Sequence, residues 1–463
     1  MAQDFKRSLL RLLAFTPEVS QGNANYVFEG SGGTGTTVTL STGSANQHNA
    51  KLAAMSDDFF NELYVYFKSN TTTTALRGKF YRITDSARVT TTVTLTVSET
   101  MAGTPASGDV FYVFAPMAAS NVSISIGKEN LARNAFERQT LDLPSSNKGL
   151  DQVSGSFDLE LFGLEQVNGD GVTPRPDRLS RFLEAIGTAR RVAGTTVSGS
   201  GSTTAVVDVT SAASFEVGDY VLINGEVRRV ISIDTVSTPD NIGVYPDLSA
   251  APANTDIVYF GEKFTPADSG HRSHTILHYR DSQLIACVGA VFSISVQADF
   301  AQNISLSCEF DAEEYSLTDD FSLDGIQSTR KTLPFIEGET WFDTTELCVN
   351  SMNFTLGHGR QILRDSCVGQ RVFVTTRDAM LSVSFRNKDA TPKNSWEASG
   401  TKAWLISQVG DEAASCVAIA GYAQIQDPIG MTDVEGHEFY DASFGFRDDQ
   451  TAADPTKPLL LRF

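Results

Sequence analysis

His271, His274 and His278 are the clustered histidines of this sequence, and grouped imidazoles are common zinc ligands. Zinc needs ligands that converge on one point. On an extended strand His271 and His274 point to opposite faces, and no cysteine pair lies nearby to complete a tetrahedral set, so no metal is expected. The acidic run Glu309, Asp311, Glu313, Glu314, Asp319, Asp320 and Asp324 offers the carboxylate oxygens that calcium takes. It lacks the EF-hand order, with no glycine at the sixth loop position, and reads as a solvated acidic hairpin. The glycine-rich run GSGGTGTT at 30–37 lacks the G-K-[ST] of a phosphate loop and leads into a strand instead of a helix, so it reads as a surface loop. Asp158 and Glu160 are paired carboxylates on one face of a strand, a geometry met as often on exposed sheets as in glycosidases. No G-x-S-x-G element is present, and the serines, histidines and aspartates are too scattered to nominate a triad. The chain is therefore expected to be no enzyme, with no catalytic residue and no cofactor.

What, then, do the elements hold in place? At 463 residues, with 41% apolar and 20% charged side chains, the chain is long enough for about two to four domains with their own cores. Threonine, serine, glycine and valine recur in short alternating runs, and long 3.6-period stretches are scarce, which points to a mainly β fold. The net charge of −20 argues against electrostatic binding of nucleic acid, whose affinity comes from lysine and arginine displacing counterions. It serves solubility, or it makes a surface that nucleic acid passes without sticking. Five cysteines, Cys287, Cys308, Cys348, Cys367 and Cys416, form no C-x-x-C pair. Cys287, Cys308 and Cys416 lie in apolar strand-like runs, which fits free thiols and a reducing compartment at synthesis. The run LLRLLAF is too short for a membrane span, is interrupted by Arg11 and lacks a small-residue cleavage site, so no signal peptide is expected and the N-x-S/T triplets carry no glycosylation meaning.

Residues 4–15 set Phe5, Leu9, Leu12 and Leu13 against Lys6, Arg7 and Arg11, a short amphipathic helix that must dock on something. Farther on, residues 36–114 and 203–260 read as an internal repeat. TTVTLST answers TTAVVDVTS, FFNELYVYF answers FEVGDYVLI, ALRGKFYRITD answers NGEVRRVISID, and MAGTPASGDVFYVFAP answers SAAPANTDIVYFGEK. Each copy is expected to hold four short strands in a small sandwich or barrel. Outside the repeats, apolar and polar residues alternate strictly at Val122–Ile126, Phe157–Leu161, Phe292–Val296 and Ile304–Phe310, and more loosely at Met352–Leu356 and Leu381–Phe385. Period-two alternation of that length means a broad sheet with one buried and one wet face. In PDRLSRFLEAIG, Leu179, Phe182, Leu183 and Ile186 share a helical stripe, with Asp177 in the first turn and Gly187 at the C-terminal cap, and this helix should pack on the dry face.

The chain then divides into an N-terminal arm or helix at 1–20, part of the core; an inserted small β-domain at 21–118; a first part of the core at 119–190; a second inserted β-domain at 191–261; a second part of the core at 262–449; and a C-terminal arm at 450–463. That last stretch ends in PLLLRF, either an edge strand or an arm that adds to a neighbouring sheet.

The segment 119–190, with NVSISIGKENLARNAFERQ, GLDQVSGSFDLELFG and RFLEAIGTA, resembles bacteriophage tail tube proteins. Gly155, Ser156, Phe157, Glu160 and Leu161 fill the places of that family's G-S-F-x-x-E-L strand. HRSHTILHYRD with ACVGAVFSISVQADFAQNISLSCEF is similar to the family's second hairpin, and VGDYVLINGEVRRVISID to the small β-domain of some tail proteins. The resemblance covers about half the chain, and the repeat copy at 36–114 departs from the simplest members. It implies a tail-tube-like β-sandwich or barrel core with one packed α-helix and two inserted small β-domains. It further implies hexameric rings stacked into a tube, a channel for DNA delivery with no specific DNA binding and no membrane contact. Partners would be the chain itself and other tail proteins (terminator, baseplate, tape measure), in a virion tail assembled in the host cytoplasm. Asp158, Glu160, Ser293, Ser295, Gln297 and Glu309 would face the lumen, their alternative being the outer surface. A baseplate or distal tail ring protein is the nearest rival. A carbohydrate-binding or hydrolytic β-protein is the rival of another class, for which Trp341, Trp396 and Trp404 are spread thinly.

Overall fold

The computed structural model describes residues 11–19, 26–131, 147–164, 177–266, 272–280, 283–318, 334–335, 338–343, 345–365, 369–386, 402–412, 415–426, 429–434, 437–446 and 459–463. The fold is mainly β, in large antiparallel sheets. Its largest feature is a wall of strands side by side: Ala119–Leu131, Asn147–Glu160, Ser305–Ala312, Gln283–Asp299, Thr345–Asp365, Gly369–Arg386, His437–Phe446 and Gly430–Val434, each antiparallel to the next. The alternation read in the sequence sorts these strands into two faces. On the dry face Leu159, Leu306, Val296, Phe354, Leu381 and Phe444 stand in register across neighbouring strands, and all are buried. The Met352–Leu356 and Leu381–Phe385 runs are directly paired in the longest hairpin of the chain.

The helix Arg178–Leu183 lies on that dry face. Asp177 caps it, accepting from Ser180 N, while Ser180 Oγ accepts from Asp177 N. Leu179, Phe182, Leu183 and Ile186 are buried, and the Phe182 ring meets Phe157 at 5.9 Å and Phe292 at 5.0 Å between centroids. The expected cap at Gly187 is not used. The helix ends at Glu184, and Gly187 opens the strand Gly187–Arg191, where a Cβ would lie 2.1 Å from Thr265 O.

The repeat is visible in the pairing. Val27–Gly33, Thr37–Ser41, Tyr64–Phe67, Phe80–Val89, Thr92–Val97 and Ser107–Met117 form one set. Thr195–Thr196, Val206–Val209, Tyr220–Ile223, Glu226–Asp234, Asp240–Tyr245 and Ile257–Tyr259 form the other. In both sets the first strand meets the second, the second the fifth, the fifth the fourth, the fourth the third, the third the sixth and the sixth the first. Both are closed barrels of six strands, where the sequence suggested four. The additional first and fifth strands complete each ring and leave no edge open. Each barrel also docks through the same outer face. Tyr66 and Tyr112 pack on Leu277, Leu284 and Ala286, and the aligned Leu222 and Tyr259 on a cluster with Ile406, Ala418 and Leu461.

The strands outside the barrels repeat as well. A first unit holds Arg11–Pro17, Ala119–Leu131, Asn147–Glu160, His274–Arg280, Gln283–Asp299, Ser305–Ala312 and Glu314–Thr318. A second holds Thr340–Phe342, Thr345–Asp365, Gly369–Arg386, Lys402–Glu412, Ser415–Ile425 with its continuation Gly430–Val434, His437–Phe446 and Leu459–Arg462. In chain order, each unit pairs its second strand with its third, third with sixth, sixth with fifth, fifth with fourth and seventh, and fourth with first. The two barrels interrupt only the first unit.

Two terminal expectations are corrected. Residues 11–15 of the expected helix belong to the strand Arg11–Pro17, hydrogen-bonded to His274–Arg280, with Leu13, Ala14 and Phe15 buried; residues 4–10 lie outside the described residues. Burial on both sides of the strand, not amphipathicity, explains its apolar run. Of the C-terminal segment, expected as an edge strand or an arm adding to a neighbouring sheet, residues 450–458 lie outside the described residues and the rest is an inner strand. Leu459–Arg462 is held between Val417–Ala420 and Glu262–Phe264.

Candidate functional site: the polar face of the wall

The opposite face of the wall carries the short polar residues of the alternating runs. Glu160, Ser305, Gln297, Asn353, Ser382 and Ser443 form one transverse row. Asp158, Ser307, Ser295 and Thr355 form the next, followed by Ser156, Glu309 and Ser293. The six residues expected to share a face, Asp158, Glu160, Ser293, Ser295, Gln297 and Glu309, therefore do share it. Glu160, Gln297 and Glu309 are exposed, and Asp158, Ser293 and Ser295 half-buried.

Local hydrogen bonds fix their orientation. Asp158 accepts from Asn121 Nδ2 at 2.7 Å and from Ser307 Oγ at 2.6 Å. Ser293 Oγ accepts from His358 N at 3.1 Å, and Gln297 Nε2 donates to Asp299 Oδ2 at 2.9 Å. A shallow groove on this face is lined by Gln297, Asp299, Ser351, Asn353, Ser384 and Asp441. Arg360 offsets part of the acidity, with its Nε 2.9 Å from Asp311 Oδ2. The chemistry is that of a wet surface of hydroxyls, amides and carboxylates, repulsive to phosphate.

The other sequence candidates lie elsewhere. His274 is a core residue, its Nδ1 2.9 Å from Ser273 O and its Nε2 3.2 Å from Phe182 O, and burial lowers its pKa to about 4. His278 is also buried, and His271 lies outside the described residues. Among the described residues no group of three or more His, Cys, Asp or Glu is arranged to hold a metal. The described part of the acidic run is only partly solvated: Glu309 and Glu314 are exposed. Asp311 pairs with Arg360 and Glu313 is buried, because the strand after it leaves the wall for Leu284–Val288; Asp319, Asp320 and Asp324 lie outside the described residues. Cys287, Cys308 and Cys416 are buried free thiols, Cys348 is half-buried, and Cys367 lies outside the described residues. Trp341 and Trp404 receive the second barrel: Arg228 lies over Trp341 at 5.6 Å and Arg229 over Trp404 at 3.6 Å, while Trp396 lies outside the described residues.

A buried ionic cluster was not foreseen. Arg462, fully buried, reaches Asp177 Oδ2 at 2.8 Å and Glu262 Oε2 at 3.2 Å. Arg191 joins Glu262 to Glu184, and burial raises the Glu184 pKa less than Arg181, Arg191 and Arg272 lower it. These residues are spread over the whole sequence, so no local spacing announced them. No protein-family model and no curated protein matches the sequence. No helix among the described residues is long and apolar enough to cross a membrane.

Proposed function

We propose that the chain is a structural tail tube subunit whose copies join their walls into rings, and whose rings stack into a channel that DNA traverses. The observation that carries this reading is the wall itself. It has one dry face packed on the core, one wet face rich in serine and carboxylates, and at each end a strand that pairs along one side only among the described residues. An open sheet edge invites another strand, and a sheet that closes on itself removes the hazard. Closure through identical copies is head-to-tail and produces a ring around an axis. With the polar face inward, the lumen presents Asp158, Glu160 and Glu309 to passing phosphates.

Negative-stain microscopy of the purified protein tests the reading. Long hollow tubes are expected; isolated rings would favour a baseplate or distal ring role, and a dispersed monomer that hydrolyses a glycan would sink both. Asp158→Lys with Glu160→Lys should leave tubes intact and slow DNA delivery. Unchanged infectivity would count against a lumenal position.

A further inference from the structure

The two units of the wall meet inside one chain. Ile294–Asp299 of the first unit runs antiparallel along Ser351–Leu356 of the second, with Gln297 opposite Asn353 and Val296 opposite Phe354. The fifth strand of one unit thus receives the second strand of the next. The same two surfaces are left over at the ends of the wall. Gly430–Val434, the continuation of the second unit's fifth strand, pairs only with His437–Phe446 among the described residues. Ala119–Leu131, the first unit's second strand, pairs only with Asn147–Glu160 among them.

Side chains at these ends differ from their counterparts as an uncovered joint should. The segments VSISIGK at 122–128 and MNFTLGH at 352–358 align, so Val122, Ile124 and Ile126 correspond to Met352, Phe354 and Leu356. The three at the open edge are half-buried, whereas their counterparts are buried. Ladder by ladder, Gln297 corresponds to Thr432 and Val296 to Met431. Val296 is 0% exposed and Met431 is 63% exposed.

We infer that Gly430–Val434 of one copy pairs antiparallel with Ala119–Leu131 of the next, placing Thr432 opposite Ser123 and Met431 opposite Ile124. Every ring then contains two units per chain. Resting on the tube reading above and on the hexameric rings that the resemblance implies, a ring of six units is closed by three chains, not six.

Cysteines on directly opposed strand positions lie close enough to bridge. The full chain carrying Ser123→Cys and Thr432→Cys, oxidised after assembly, should run on a non-reducing gel as a covalent ladder that stops at three chains, and neither single variant should form it. Mass photometry of the wild-type ring should likewise give three chains. A ladder that stops at six, or wild-type rings of six chains, overturns the stoichiometry. Tubes that form without the cross-link overturn the joint and leave the tube reading standing, whereas a cross-linked trimer that never stacks keeps the joint and sinks the tube.

Discussion

Glu313 is buried where the chain turns from Ser305–Ala312 into Glu314–Thr318, and burial, then the nearby Glu18 carboxylate, push its pKa up to about 7. Glu18 accepts hydrogen bonds from Ser273 Oγ at 2.6 Å and from Thr275 Oγ1 and Gly289 N at 2.8 Å. Gly289 is needed there: its φ is +72°, and a Cβ would lie 2.6 Å from Glu313 Cγ. A carboxyl whose folded pKa exceeds its unfolded value of about 4.3 holds its proton more tightly in the native chain. Its contribution is therefore favourable at acid pH and is lost as pH climbs from about 4 to 7, the reverse of an ion-paired carboxylate. Calorimetry should find Glu313→Gln more stable than the parent at pH 8, by roughly 1–2 kcal/mol, and matched to it at pH 4. A second residue-scale test lies in the barrels. Thr255 sits at φ +77° in the turn where the first barrel has Gly108 at +87°, and Asp256 accepts from Ala253 N as Asp109 does from Ala106 N. A β-branched residue there is strained, so Thr255→Gly should stabilise by up to about 1 kcal/mol, read as a shifted denaturant midpoint.

The hairpins of the wall were legible because each signals itself locally: Phe157, Leu159, Phe292 and Ile294 alternate with polar neighbours, and the pleat turns that alternation into two faces. The barrel repeat was legible for the same reason in four of the six strands of each copy, whereas the docking of Tyr112 and Tyr259 depends on strands far away in sequence. What local pattern cannot report is which distant strand lies alongside. Arg11–Pro17 has the spacing of an amphipathic helix, and only its partner His274–Arg280 makes it a strand. The duplication of the wall was missed because its units share pairing more than residues and the barrels interrupt only one of them. Leu459–Arg462 likewise looked peripheral, yet Arg462 binds it to the helix cap at Asp177 and to Glu262. Removing that guanidinium takes a buried ion-pair partner from Asp177 and leaves Glu262 with Arg191, and breaking a buried pair costs about 3–5 kcal/mol in comparable cases. Arg462→Ala should lower the unfolding midpoint sharply. Arg462→Lys should recover only part of the loss, because one ammonium cannot serve Asp177 and Glu262 with the geometry of a guanidinium.

At the scale of the whole molecule, the net charge of −20 and the open wall pull in opposite directions. Like-charged copies repel at long range, so contact must come from short-range apolar burial and strand pairing once the charges are screened. The Met431 side chain, 63% exposed in a single chain, is the measure of that burial. A buried methionine is worth about 1.5–3 kcal/mol relative to an exposed one, and the proposed joint would repeat it at every chain boundary of a ring. In the proposed joint, Met431→Lys would set an ammonium against the neighbour's Ile124, which cannot pair it, while the single chain loses almost no packing. If the proposed joint holds, the variant should unfold at the parent's temperature and sediment as a monomer under conditions in which the parent assembles, and salt should not rescue it. Raising salt on the parent should instead speed ring formation. A Met431→Lys protein that still assembles would mean that this edge lies free in the ring, and a lowered melting temperature would mean that the residue serves the chain's own core.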